Sequence, residues 1–232
     1  MQVHHSMENL PVIPLPVVTM GSFDGVHVGH RVIIRRLKHL ANQVGGSSVL
    51  ITFFPHPRKV LYPETAGKGL RLINSQAEKI QLLEETGLDH LVILEFTLDF
   101  SRTTSEDFVK HYLVEGLQAH TIVVGFNHFF GRNKEGNYDA LYQLREIYGF
   151  EVEEIPGQEI QHETVSSTKI RKALAEGNIQ RANAYLDHHY FMLAQWEPHE
   201  GYSLQYHHPC FRVSHNDTLK LLPPPGSYAA VS

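Results

Sequence analysis

The stretch Val17–His30, with the sequence VVTMGSFDGVHVGH, decides the fold of this chain. It begins with a β-branched run that predicts a buried strand, and three glycines (Gly21, Gly25 and Gly29) then mark a loop. Beyond His30, apolar residues recur at helical spacing, at Ile33, Leu37, Leu40, Ala41 and Val44. The pattern therefore predicts a strand, a glycine-rich loop and a helix in direct succession.

A loop of this kind is suited to an anion. It ends at a helix N-terminus, where free N–H groups and the positive end of the helix dipole favour negative charge. His27 and His30 lie where the loop meets the helix, and imidazoles can donate hydrogen bonds to phosphate oxygens. The spacings of the P-loop and of the dinucleotide fingerprint are both absent. Two histidines in a glycine-rich turn can be incidental, but the extended string GxFDGVHxGH directly after a strand resembles the HxGH signature of the nucleotidylyltransferase superfamily.

Composition narrows the class of protein. The 232 residues are 42% hydrophobic and 19% charged, which is ordinary for a globular protein with one sizeable core. The net charge of −5 and the lack of a long basic run disfavour a nucleic-acid partner. The single cysteine, Cys210, fits a reducing compartment, and we find neither a signal-peptide pattern nor a membrane-spanning run. We therefore expect a cytoplasmic protein without a membrane partner; composition says nothing of its oligomeric state.

Strand and helix patterns alternate along most of the chain. The predicted strands are 17–19, Ser48–Phe53, His90–Phe96, Thr121–Val124 and Phe150–Ile155. Capping patterns predict helices that begin near Ser75 and Thr104, whereas Lys59–Leu70 is predicted to be a loop. This alternation predicts an α/β fold with a Rossmann-like parallel sheet, whose ligands bind at the carboxyl ends of the strands.

The residue pattern of the sequence changes at His188, where short aromatic runs replace the alternating strand and helix patterns. We predict one domain over residues 1–187 and a small β appendage over residues 188–232 that docks on it. Its short aromatic runs predict a few antiparallel strands, at Tyr190–Trp196, Tyr202–Tyr206 and Tyr228–Val231. Neighbouring residues on a strand point to opposite faces, so the pair His207 and His208 does not predict a metal site.

Three further patches follow strands or open a helix. Phe53–Pro57 ends the second strand with aromatic and proline residues that can cover a flat ring, although an ordinary strand end would look similar. Gly125–Gly131 ends the fourth strand and contains Asn127, whose amide suits a base or a phosphate. Val165–Arg171 places hydroxyls and a guanidinium at a helix start, which suits either a plain cap or a polyphosphate clamp.

Taken together, these patches resemble the FMN adenylyltransferase module of bacterial FAD synthetases. The matching pieces are GSFDGVHVGH, TFFPHP, VVGFNHFFGRNKEG and VSSTKIRKAL, and they occur in the family's order over Val17–Leu186. The resemblance implies transfer of AMP from ATP, bound with Mg²⁺, to FMN, which yields FAD and pyrophosphate. It also implies a catalytic set of His27, His30, Asn127 and Arg171.

The same resemblance implies two binding sets. The residues expected to bind ATP are Gly21, Phe23, Asp24, Gly29, His30, Ser166, Ser167 and Thr168. The residues expected to lie near FMN are Phe53, Pro55, His56, Pro57, Asn127 and Phe129. No dedicated metal ligand is expected, because Mg²⁺ would keep phosphate and water as its ligands.

The tail departs from the usual family pattern. Usual members continue into a riboflavin kinase, whose PTAN motif should fall near Pro209, but the residues there are Cys210, Phe211 and Arg212. Pro225–Ala229 resembles a later strand of that domain, and the printed sequence ends before the kinase's acidic residue. We therefore expect a shortened kinase-like subdomain without kinase activity. Two alternatives stay open: transfer to another phosphorylated acceptor, or a non-catalytic protein that binds flavin or nucleotide.

Overall fold

Parallel strands form the centre of the fold. They are β1 (Gln2–His4), β2 (Val17–Met20), β3 (Ser48–Phe54), β4 (His90–Glu95), β5 (Thr121–Gly125) and β6 (Glu151–Ile155). The six-stranded sheet has the order β1-β4-β3-β2-β5-β6, and every pair of neighbours is parallel. This computed structural model describes residues 1–126, 128–157, 159–160, 163–203, 208–215 and 217–228. The predicted Rossmann-like α/β fold is confirmed.

Helices connect the strands and cover the sheet. They are α1 (Val28–Val44), α2 (Pro57–Leu61), α3 (Gln76–Glu85), α4 (Ser105–Phe108), α5 (Tyr138–Tyr148), α6 (Ser167–Ala175) and α7 (Ile179–Leu186). A π-helical segment, Val109–Gly116, continues α4, and two 3₁₀ turns lie at Phe100–Arg102 and Arg132–Lys134. Among the described residues, no helix is long and apolar enough to cross a membrane.

Local sequence explains where the helices begin. Ser75 caps α3 with a complete capping box, in which its side chain accepts from the Glu78 backbone while the Glu78 carboxylate accepts from the Ser75 backbone. The Thr104 side chain accepts from the backbone of Asp107 at the start of α4. Both predicted helix starts are confirmed.

The strands bury residues on both faces of the sheet. Val18 and Ile51 belong to a cluster with Val109 and Leu113 of the π-helical segment, whereas their neighbours on the strands pack against α1 on the other face. This alternation is the two-residue period of a strand that is covered on both sides. A third cluster joins α6 and α7 to Ile73, in the connection before α3.

The loop after β2 lies at the point where the strand order reverses. β2 pairs with β3 on one side and with β5 on the other. The strands that follow β2 first extend the sheet on the β3 side, and β5 and β6 are then added on the opposite side of β2. In open parallel sheets, the crevice at such a switch point is where ligands bind. The topology therefore places the glycine-rich loop at the expected binding position.

Several elements differ from the sequence predictions. β1 was not predicted, because Gln2–His4 has only three residues and one apolar side chain, Val3, which is too short for a pattern; it joins the sheet edge beside β4. α2 begins at Pro57 and runs into the stretch 59–70 that was predicted to be a loop. The tail contains an antiparallel hairpin, β9 (Gln195–Ser203) and β10 (His208–Ser214), but the predicted strand bounds are wrong. Residues 190–194 of the predicted strand Tyr190–Trp196 are not in a strand, and parts of Tyr202–Tyr206 and Tyr228–Val231 lie outside the described residues. A short unpredicted hairpin joins β7 (Glu159–Ile160) to β8 (Glu163–Thr164).

Candidate active site

A large cavity opens at the carboxyl ends of the central strands. Its volume is about 1130 Å³, and it is lined by the segments that follow β2, β3, β4, β5 and β6. The described residues that line it include four cations but neither an aspartate nor a glutamate. Those cations are Arg58, Arg132, Lys134 and Arg102, of which Arg102 is paired with Asp99 at 2.8 Å. The cavity is therefore suited to a negatively charged ligand.

The two histidines of the glycine-rich loop stand together in this cavity. His27 is the N-cap residue of α1, and its ring stacks on that of His30 with the centroids 3.6 Å apart. Phe23 stacks on His30 in turn, at 4.3 Å. A side chain at position 29 would place its Cβ 3.3 Å from the His27 ring, so Gly29 leaves room for the stack. The loop thus presents a packed pair of imidazoles at a helix N-terminus.

Burial keeps both imidazoles neutral. It lowers the pKa of His27 from 6.5 to about 4, against the opposing effect of Asp24. The pKa of His30 is lowered well below 6.5, first by burial and then by the charges of His27 and Lys79. The Nδ1 atoms of both rings are buried and have no hydrogen-bond partner among the described residues.

Part of the cavity lining is aromatic. The lining includes four of the residues that were predicted to lie near the flavin, Phe53, His56, Pro57 and Phe129. A chain of edge contacts joins Phe53 to further rings, namely Phe96, Phe100 and Phe108, which also line the cavity, and Tyr112. Of the predicted flavin set, Pro55 is not among the lining residues. An aromatic wall of this kind can enclose a flat ring system.

Asp24 and Arg171 form a buried ion pair beside the cavity rather than in its lining. Nη2 of Arg171 donates to Oδ2 of Asp24 at 2.5 Å, with side-chain exposures of 15% and 6%. The Asp24 carboxylate also accepts from the backbone N–H groups of Ile73 and Asn74. Ser167 donates its hydroxyl hydrogen to the Asp24 carbonyl at 2.9 Å. Asp24 is thereby fully engaged with protein groups.

The remaining predicted residues divide between the cavity and its surroundings. Gly21, Gly29 and Ser166 line the cavity, whereas Ser167 and Thr168 are not among its lining residues. Ser166 is the N-cap of α6, where its side chain accepts from the Lys169 backbone. Asn127 lies outside the described residues, so the geometry of its predicted role is not given by the structure.

The sequence prediction missed Lys79, a buried cation below the loop. Its Nζ donates to the Ser22 carbonyl and to Thr52 Oγ1, both at 3.3 Å. Burial lowers its pKa from 10.5 to about 8. A signal was available, because helical spacing from the buried Leu82 and Leu83 places Lys79 on the inner face of α3.

Fold and site together define a class: a Rossmann-like α/β protein with an HxGH loop and a large cavity at the switch point of a parallel sheet. Residues 14–169 match the family model described as FAD synthetase. The chain belongs to the FAD synthetase family.

Individual relatives agree with this assignment. A bifunctional riboflavin kinase/FMN adenylyltransferase of Listeria monocytogenes is 33% identical over 174 residues, which cover 75% of this chain and 54% of that protein. One from Pseudomonas fluorescens is 35% identical, over 73% of this chain and 53% of that protein. An FAD synthetase of L. monocytogenes is 32% identical, over 76% of this chain and 70% of that protein. The chain thus spans about half the length of the bifunctional relatives, and the FAD synthetase match is the more complete.

A solved structure is also similar. It is described as a macrolide-efflux protein from Streptococcus pneumoniae, and it matches with a TM-score of 0.71 and 28% identity. The match covers 81% of this chain and 61% of that one. The similarity thus extends over most of the fold described here.

Proposed function

We propose that this chain transfers AMP from ATP to FMN and forms FAD and pyrophosphate. The observation that carries the proposal is the lining of the cavity, which combines four cations and no carboxylate among the described residues with an aromatic wall. Both substrates are polyanions, and FMN also carries a flat ring system. Family membership supports the same reaction.

The reaction requires no protein nucleophile. An oxygen of the FMN phosphate attacks the α-phosphorus of ATP, a new P–O bond forms, and the bond to the bridging oxygen breaks as pyrophosphate leaves. Catalysis then rests on positioning and on stabilising the charge of the leaving group. We propose that Mg²⁺ would be held by the phosphate oxygens of ATP and by water, and that it would supply further stabilisation of the phosphate charge.

The loop histidines suit the triphosphate. His27 and His30 lie at the N-terminus of α1, where the helix dipole favours an anion. A neutral imidazole donates one hydrogen bond, and a bound phosphate would raise its pKa by stabilising the protonated form. We propose that Gly21, Phe23 and Gly29 shape the same pocket.

The other phosphate contacts come from the start of α6. We propose that Ser166, Ser167 and Thr168 contact the phosphates and that Arg171 supplies charge to them. Asp24 then acts indirectly, since its carboxylate is already occupied by Arg171 and the backbone of Ile73 and Asn74. On the flavin side, we propose contacts from Asn127 and from Phe53, Pro55, His56, Pro57 and Phe129.

The division of the chain is part of the proposal. Residues 1–187 would form the nucleotidyltransferase domain, and residues 188–232 a kinase-like β appendage. A cytoplasmic location, expected from the single cysteine, stays a prediction.

Turnover separates this function from its alternatives. The purified chain is incubated with ATP, Mg²⁺ and FMN, and FAD and pyrophosphate are measured in parallel. Formation of both in equal amounts supports the proposal. Binding of FMN without FAD would contradict it in favour of a non-catalytic protein, and pyrophosphate release with another phosphorylated acceptor but not with FMN would change the substrate.

A further inference from the structure

Lys220 is a buried lysine in the tail, only 4% exposed. Its Nζ donates to Oε2 of Glu78 at 2.6 Å and to the carbonyls of Ile73 and Phe191, each at 2.8 Å. The ammonium also lies 4.4 Å from the centre of the Tyr190 ring. A lysine ammonium has three N–H donors, so these contacts use all of them.

The same part of the tail pairs with the connection that precedes α3. The N–H of Leu72 donates to the Leu219 carbonyl, and the N–H of Leu221 donates to the Leu72 carbonyl, both at 2.7 Å. The guanidinium of Arg71 donates to the Thr218 carbonyl. Residues 71–73 are therefore fixed on one side by the tail segment 218–221.

On their other side, residues 71–74 hold the Asp24–Arg171 pair. The N–H of Ile73 donates to Asp24 at 3.0 Å, and that of Asn74 at 3.2 Å. Nε of Arg171 donates to the Arg71 carbonyl at 3.0 Å. The two acceptors of the Arg171 guanidinium are the Asp24 carboxylate and the Arg71 carbonyl. The first accepts from residues 73 and 74 and the second belongs to residue 71, so both depend on the segment 71–74, which is hydrogen-bonded to the tail.

We propose that Lys220 is a positioning residue for adenylyl transfer, which acts on Arg171 through Ile73, Asp24 and Arg71. Without the ammonium, the Ile73 carbonyl loses this donor, and among the described residues the Glu78 carboxylate keeps only the backbone donors of Ser75 and Leu193. The connection then shifts, and with it the Arg71 carbonyl and the N–H groups that hold Asp24. The inference rests on the proposed function, because it assigns Arg171 to the phosphates of ATP. It makes the tail part of the nucleotide site rather than a separate appendage.

A double-mutant cycle tests this proposal. We expect Lys220→Met to weaken binding of α,β-methylene-ATP with Mg²⁺ about tenfold, as measured by calorimetry. FMN binding should change less than twofold. Because Lys220 acts through Arg171, the double variant Lys220→Met/Arg171→Ala should bind the analogue no more weakly than Arg171→Ala alone. The matched control is Lys68→Met, since Lys68 lies in the same connection with its side chain 71% exposed; it should bind like the wild type.

Each outcome decides between the alternatives. Additive effects of Lys220→Met and Arg171→Ala, or unchanged analogue binding by folded Lys220→Met, would overturn the inference. If Lys220→Met does not fold, Glu78→Gln/Lys220→Met replaces it, because this pair leaves no buried charge without a partner. Failure of both variants to fold would show that Lys220 serves the whole fold and would also overturn the specific role. A wild-type chain that makes no FAD would instead contradict the proposed function.

Discussion

The rings of His27 and His30 lie face to face, with centroids 3.6 Å apart and 17° between their planes. Two imidazolium rings at this distance would repel each other, and burial adds to that cost. The structure accordingly lowers the pKa of both residues, that of His27 to about 4. The free site thus holds a neutral pair, ready to receive negative charge from a ligand.

We expect His30→Ala to slow FAD formation more than it weakens FMN binding. His30 lines the cavity at the helix N-terminus, so its imidazole is placed to stabilise charge on the leaving pyrophosphate. Loss of one such donor costs about 3 kcal/mol, or roughly a hundredfold in kcat. Single-turnover rates and a separate FMN titration measure the two effects. A wild-type rate in the variant would remove His30 from the catalytic set.

Acid should destabilise the folded chain through histidines that are buried in the neutral form. Burial lowers the pKa of His27, His56 and His128 to about 4, from 6.5. Between pH 6.5 and 4, the unfolded chain therefore binds more protons, so the free energy of unfolding falls as the pH falls. Urea titrations across this window measure the slope.

His128→Phe isolates one contribution to this slope. It removes a titrating ring whose Nε2 has no partner among the described residues, and it keeps an aromatic ring against Phe130. As the pH falls from 6.5 to 4, we expect the free energy of unfolding of the variant to decrease by about 2 kcal/mol less than that of the wild type. An identical slope in both proteins would show that His128 titrates normally when folded.

Arg171→Lys should not behave as a conservative change. The guanidinium reaches two acceptors at once, the Arg71 carbonyl through Nε and the Asp24 carboxylate through Nη2, which a single ammonium cannot reproduce. We expect a higher KM for ATP and a lower kcat. Lys172→Met, on the next residue of α6, changes a side chain that is 76% exposed and serves as the control. Equal kinetics in the two variants would exclude a role for Arg171.

Lys79→Met should stabilise the fold while it impairs activity. A pKa lowered from 10.5 to about 8 means that the charged form is disfavoured when folded, by about 3 kcal/mol at neutral pH. The substitution removes this cost but also removes the hydrogen bonds to Ser22 and Thr52. We therefore expect the free energy of unfolding to rise by about 1 kcal/mol. Loss of the cation that supports the histidine loop should lower kcat.

The pH dependence of unfolding checks the Lys79 prediction. Because the folded pKa is the lower one, the wild type should gain stability as the pH rises from 8 to 10.5, and Lys79→Met should lack this gain. A variant that is less stable at pH 7 and keeps the rise would contradict the assignment.

We expect the chain to leave riboflavin unphosphorylated. Where the related kinases carry a Thr and an Asn that hold metal and phosphate, this sequence has Cys210, Phe211 and Arg212. None of these is an oxygen ligand suited to Mg²⁺. The assay supplies riboflavin, ATP and Mg²⁺ and measures FMN, with FAD formation from FMN as the control for active protein. FMN at enzymatic rates would contradict the prediction.

The sequence predicted the features that depend on local pattern. The β-branched run at Val17, the capping box at Ser75 and the alternation of strands and helices were all confirmed, because each is encoded within a few residues. Edge strand β1 was missed, since Gln2–His4 pairs in parallel with β4 over three residues only, which is too short to show an apolar period.

Long-range polar contacts were beyond the reach of sequence patterns. Arg171 is paired with Asp24 across a separation of 147 residues, and Lys220 reaches Glu78 across 142. Lysines are almost never fully buried unless they are paired, so nothing local marks Lys220 as interior, whereas helical spacing could have placed Lys79 on the inner face of α3. The motifs contain several residues that line the cavity, whereas the placement of the cations in the lining and of the buried charges beside it became visible only in the structure.

The contacts of Lys220 limit how this protein can be recombined with its relatives. Replacing the chain after Asp187 by the complete kinase of a bifunctional relative would leave the Glu78 carboxylate buried without its cation and would remove the backbone partner of Leu72. Such a chimera would have to supply an equivalent lysine at the same place, or carry a neutral residue at position 78. The boundary that is visible in the sequence is therefore a poor place to exchange modules.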